Sequence, residues 1–176
     1  MSHSSPLRLL LALVAALAGP ATLPAQEVAR APLPDWIMVD DTARTVTLAL
    51  RVAPARDQGP AAINELREGA LQVIVPLGWT VRWRWENADP ARAHSLVLMA
   101  EREKLPERGG RPAFANAMTR MVTKGLAPGQ TDETAFVAEA AGWYWLLCGV
   151  PAHALEGEYL GLRVDPEAVR VGVRRE

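Results

Sequence analysis

The sequence predicts an all-β sandwich with one or two short helical insertions. Short β-prone runs recur along the chain and are closed by Gly, Pro, Asn or Asp, whereas sustained 3.6-residue periodicity is scarce. One run, Val81-Arg82-Trp83-Arg84-Trp85-Glu86, alternates strictly, so Val81, Trp83 and Trp85 share an inward face and the charged residues share the other. With 176 residues, 49% of them apolar, the chain has the length for one ordinary domain and the apolar content for a core.

The elements follow in order. Residues 1–25 read as a secretory signal: Arg8 supplies the positive start, Leu9 to Ala18 is an unbroken apolar run, and Gly19-Pro20 breaks it ahead of Ala25. That run is about half of the ~20 residues a spanning helix needs, so membrane anchoring is expected only if the signal stays uncleaved. No Cys follows the signal to carry a lipid. Residues 26–35 form a Pro-rich lead-in, residues 36–166 the domain, and residues 167–176 a solvated tail. Strands are expected near Trp36 to Val39, Thr45 to Val52, Leu71 to Val75, Thr80 to Asn87, Ser95 to Ala100, Thr134 to Ala138, Trp143 to Leu147 and Tyr159 to Val164. Two stretches carry helical spacing. Ala61 to Gly69 suits a short helical turn, and Ala113 to Lys124 places Phe114, Ala117, Met118 and Met121 on one apolar helical face.

Charge excludes one class of partner. The formal charge is −1, and no basic block or aromatic-interleaved basic stripe is present, so nucleic acid is not expected. Loss of residues 1–25 removes one Arg and no acid, which leaves the mature chain slightly more acidic. A single Cys cannot form an internal disulfide, and a lone thiol in an oxidising compartment needs a reason to persist. Metal coordination is such a reason.

Cys148 ends the apolar run Trp143-Tyr144-Trp145-Leu146-Leu147 and is followed by Gly149-Val150-Pro151-Ala152-His153, a short loop that brings thiolate and imidazole together. A thiolate with two imidazoles is the donor set that suits copper in an electron-transfer site with a weaker fourth ligand on its axis. After removal of the signal, His94 is the only other His that can complete it.

Asn87 and His94-Ser95, followed far downstream by the run Gly142 to His153, resemble the cupredoxins, and within them the chain is most similar to the sulfocyanin-like group. Val75-Pro76-Leu77-Gly78-Trp79-Thr80-Val81 and Gly125-Leu126-Ala127-Pro128-Gly129-Gln130-Thr131 support the resemblance, which covers roughly Trp36 to Val164. It implies a cupredoxin-like Greek-key sandwich and equatorial copper ligands His94, Cys148 and His153. It also implies that Ser95 ties the two ligand loops together and that Asn87 braces the loop ahead of His94. In that pattern the weak axial ligand is a Met, but Glu158 stands in its place here. A carboxylate on the axis would favour Cu(II) over Cu(I) and lower the reduction potential. If Glu158 faces solvent instead, the copper is three-coordinate or recruits Met118 or Met121.

Other readings of these residues are weaker or rival. Zinc suits a Cys, two His and a Glu equally well in principle. Thiolate catalysis lacks a third orienting group beside the Cys-His pair, and multicopper chemistry needs further His ligands. The expectation is therefore a non-enzymatic, monomeric carrier of one copper ion, Cu(I)/Cu(II), in the periplasm or otherwise outside the cytoplasm. It would pass electrons transiently between redox proteins such as a cytochrome or a terminal oxidase, through an apolar patch of Val150, Pro151, Ala152 and Leu155 around His153. The alternative is a copper-binding or delivery protein that holds the ion without cycling it.

Overall fold

A computed structural model describes residues 32–56 and 59–175; the signal segment and most of the Pro-rich lead-in lie outside the described residues. Among the described residues, ten strands form two five-stranded sheets. The first contains β1 (Ile37–Asp40), β2 (Thr45–Pro54), β3 (Ala61–Ile63), β5 (Thr80–Asn87) and β7 (Thr131–Val137), in the order β1-β2-β5-β7 with β3 also on β2. The second runs β10 (Gly172–Arg175), β4 (Leu71–Pro76), β9 (Tyr159–Asp165), β8 (Gly142–Leu147) and β6 (Val97–Ala100).

Alternation decides which faces meet. In β2, Val46, Leu48, Leu50 and Val52 are buried, and the parallel register sets Leu48 beside Trp83 and Leu50 beside Trp85 on β5. The charged residues between them, Arg82, Arg84 and Glu86, are exposed. The second sheet answers with Val73 on β4, Leu162 on β9 and Leu146 on β8, all fully buried. Trp83 meets Phe136 edge-on at 5.3 Å between ring centroids, and Phe114 bridges Phe136 to Tyr144. Truncating either fully buried tryptophan to Ala removes a contact of about 3–5 kcal/mol.

Both expected helices are absent: among the described residues there is no helix at all. Ala61–Ile63 pairs antiparallel with β2 because its three apolar residues are worth more buried against that strand, and Asn64, Glu65 and Glu68 then take positive φ values that no right-handed helix accepts. The stretch from Ala113 to Lys124 spends its backbone on the open edge of β6 instead of on i to i−4 bonds. Leu98 N–H donates to Ala117 O (2.9 Å), while Ala113 N–H and Thr119 N–H donate to Leu98 O and Leu96 O (2.8 Å each). Phe114 and Ala117 are buried as expected, but Met118 and Met121 are 40% and 55% exposed and do not pack in the core.

The tail is solvated only in part: Val169, Arg170, Arg174 and Arg175 are exposed, but a strand lies within it. Gly172–Arg175 adds to the edge of β4, and Val171 and Val173 are buried beneath the arginines that gave the segment its polar look.

Candidate metal centre

Strand register brings the donor residues to one end of the sandwich. β8 ends at Leu147, which pairs with Val97 at the start of β6 and with Tyr159 at the start of β9. Cys148, just past β8, therefore lies beside the residues that precede β6 and β9, namely His94-Ser95 and Glu158. The Cys148 N–H donates to Glu158 O at 3.1 Å.

The four ligand atoms of His94, Cys148, His153 and Glu158 all lie within 4.8 Å of one another, and all four residues are buried. Cys148 Sγ is 3.5 Å from His153 Nδ1 and 3.9 Å from His94 Nδ1, and the two Nδ1 atoms are 3.2 Å apart. Glu158 points inward: Oε2 is 2.8 Å from His94 Nδ1 and 3.3 Å from His153 Nδ1. The Met118 and Met121 alternative is not supported, since Glu158 is buried against the ligand imidazoles and both Met side chains are exposed.

Backbone and side-chain bonds hold the cluster. Ser95 joins the two ligand loops: its N–H donates to Cys148 Sγ (3.4 Å), its hydroxyl accepts from Gly149 N–H (2.9 Å) and donates to Val122 O (2.6 Å). Asn87 braces the upstream loop through Nδ2 to Arg92 O (2.9 Å) and Leu126 O (2.8 Å). In the downstream loop Gly149 is required by close approach, because a Cβ there would meet Val122 Cγ1 at 2.4 Å. Residues from the β6–β7 connection close over this loop: Gly109 N–H donates to Gly149 O and Ala152 N–H to Glu107 O.

Electrostatics follow the packing. Burial pushes the Cys148 thiol well up, and the Glu158 carboxylate adds to the effect, so without a cation the sulfur keeps its proton. Burial opposes the charged form of His94, yet hydrogen bonds and charge from Glu158 and Asp89 outweigh it and raise the pKa. Burial likewise opposes ionisation of Glu158, and the two imidazoles overcome it and lower the pKa.

Asp89 is a site residue that the sequence alone does not reveal. It is 3% exposed, and its Oδ2 lies 3.1 Å from His94 Nε2. The available signal was an Asp-Pro turn directly ahead of a ligand His, which reads as loop chemistry unless burial is known.

A soft thiolate, two imidazole nitrogens and a carboxylate gathered in a buried pocket fit a type-1 copper ion, with His94, Cys148, His153 and Glu158 as the residues that would hold it.

Comparison with known proteins agrees with this architecture. Auracyanin B superposes with a TM-score of 0.50 at 21% identity over 74% of this chain and 95% of that one, a likeness of fold. The dithionite-reduced auracyanin of Roseiflexus castenholzii (24% identity, 68% and 97% coverage, TM-score 0.48) and rusticyanin of Thiobacillus ferrooxidans (20%, 74% and 87%, 0.42) are also similar. No curated protein matches the chain in sequence. Residues 35–170 match the sulfocyanin (SoxE) domain, and the chain therefore belongs to the sulfocyanin family.

Proposed function

We propose that this protein is a one-electron carrier that works outside the cytoplasm with copper held by His94, Cys148, His153 and Glu158. The observation that carries the reading is the donor set itself: one sulfur, two Nδ1 atoms and one carboxylate, buried and mutually within 4.8 Å. Bound copper would supply reversible exchange between Cu(II) and Cu(I). The chain supplies the rest. Cys148 gives up its proton to become the soft donor, and the Ser95 N–H stabilises the resulting sulfur charge. Glu158 is a hard, anionic donor that favours the oxidised ion and lowers the potential below that of a thioether site. A sandwich braced on both ligand loops needs little rearrangement on reduction.

His153 is the electron port of this reading. Its side chain is 7% exposed against none for His94. Around it Pro151, Ala152 and Leu155 are exposed, Leu155 at 58%, and offer an apolar patch for a small, transient contact with a redox protein such as a cytochrome or terminal oxidase. Export rests on residues 1–25 of the sequence.

The test is an absorption spectrum of the copper(II)-loaded mature protein, followed by titration with reductant and reoxidant. An intense thiolate-to-copper(II) band that bleaches and returns is expected, and Cys148→Ser removes it. A colourless complex shows that Cys148 does not bond to copper(II), and a band that bleaches without returning points to copper delivery; either result overturns the carrier.

A further inference from the structure

We propose that Asp89 is a positioning residue for the metal centre, holding the N–H of His94 Nε2 so that Nδ1 faces the ion and the oxidised ion is preferred. The inference rests on the copper reading above but is read from the protein alone. His94 is fully buried with a carboxylate on each ring nitrogen: Glu158 on Nδ1 and Asp89 on Nε2. A ligand on Nδ1 takes the place of the Glu158 hydrogen bond, whereas the Asp89 contact on the far side of the ring persists. A carboxylate behind a ligand imidazole fixes its tautomer and raises its basicity, which stabilises the more highly charged ion more than the less charged one.

Asp89 does more than shape the turn. Its Oδ1 alone accepts from Ala91 N–H (2.8 Å) and Arg92 N–H (3.0 Å), which satisfies the turn. Its own N–H is bound to Asn87 Oδ1 (3.0 Å), so the residue is fixed from the strand that precedes it. Oδ2 is thereby left for His94, at 3.1 Å. Sequence spacing supports this division of labour: the Asp-Pro turn gives back a side chain directed at the ring five residues later.

Asp89→Asn separates the two roles, because Asn keeps Oδ1 for the turn and replaces the acceptor Oδ2 by a donating NH2 of nearly the same volume. Glu158 competes for the Nδ1 proton, so the tautomer is read in metal-free mature protein that carries Glu158→Met. At a pH where His94 is neutral, nitrogen NMR should show the Nε2–H tautomer there, and adding Asp89→Asn should shift it to the Nδ1–H tautomer. With Glu158 in place, Asp89→Asn should lower copper(II) affinity about 10–100-fold. Copper(I) affinity should fall less, and each tenfold gap between the two losses raises the potential by about 59 mV. Asp89→Ser, too short to reach His94 but able to cap the turn, is the second variant and should lose the fixed tautomer too. A folded Asp89→Asn protein that keeps the Nε2–H tautomer without Glu158 and, with it, binds both oxidation states as the wild type does overturns the proposal. If the wild type itself gives no coloured complex, the carrier reading fails instead, and the tautomer of the metal-free protein still decides the role of Asp89.

Discussion

The two loops that build the metal centre are made on opposite plans. The upstream loop, between β5 and β6, contributes one donor, His94, and is stiffened by side chains: Asn87 and Asp89 together make six of its hydrogen bonds. The downstream loop, between β8 and β9, contributes Cys148, His153 and Glu158 and is held by backbone turns, among them His153 N–H to Val150 O and Glu156 N–H to Ala152 O. Ala152 sits there at a φ of 70°, a left-handed conformation that a non-glycine residue adopts only when its surroundings impose it. One loop thus sets a ring in a rigid frame, and the other packs most of the chemistry into a few residues. Donor identity is concentrated downstream, while orientation and second-layer charge are concentrated upstream.

The largest expected effect comes from changing donor identity. Glu158→Met replaces a hard anionic donor by a neutral thioether at a residue that is 2% exposed and 2.8 Å from His94 Nδ1. The ratio of copper(I) to copper(II) affinity should rise at least tenfold, which raises the potential by about 59 mV or more on the one-electron scale. Protein-film voltammetry of the two proteins measures it. An unchanged potential would mean that Glu158 does not touch the ion and that the upstream frame alone tunes the centre.

A second effect separates the loops by pH in the metal-free protein. Glu158, lowered from an ordinary 4.5, adds stability that is present above that value and is lost as pH falls through its folded pKa. His94, raised from 6.5, adds stability that is complete below that value and is lost as pH rises through its folded pKa. The two contributions coexist between about 4.5 and 6.5, so the metal-free protein should melt highest in that window. Each kcal/mol lost outside it costs about 2–4 °C. A melting temperature that is flat from pH 5 to 8 would show that the pair between the loops contributes nothing. Asp89→Asn should reduce the loss on the alkaline side, because it removes part of what raises His94.

What the sequence made legible tracks the same division. Strict alternation exposed β5, and the pairing of His94-Ser95 with Cys148 and His153 located the centre, because donor residues are rare types in a rare spacing. Glu158 stood out through its position, five residues past His153. The Asn87 and Ser95 braces came with the family resemblance, whereas the third was harder to see. Asp89 is an ordinary loop residue until burial shows that its second oxygen turns toward His94. The Ala113 to Lys124 stretch has genuine helical spacing, but the open edge of β6 competes for the same backbone groups, and local periodicity carries no trace of a partner strand. β10 hid for a related reason: Val171 and Val173 lie among arginines, and only the free edge of β4 makes that short alternation a strand.

The smallest effect concerns an exposed ion pair that spans the two loops. Arg92, in the upstream loop, reaches Glu156 of the downstream loop at 3.0 Å, with the two side chains 41% and 39% exposed. Solvent and salt screen such a pair, and its contribution is about 0.2–1 kcal/mol. Glu156 also keeps a second tie, since its backbone O accepts from Arg67 at 2.7 Å. Arg92→Ala should therefore lower the melting temperature by no more than about 4 °C and leave the absorption band and potential unchanged. The small difference should vanish in high salt. A larger loss, or a shifted band, would mean that the loops depend on this surface pair for their alignment; an unchanged centre would place that alignment with Ser95, whose buried bonds to Cys148 and Gly149 already span the same gap.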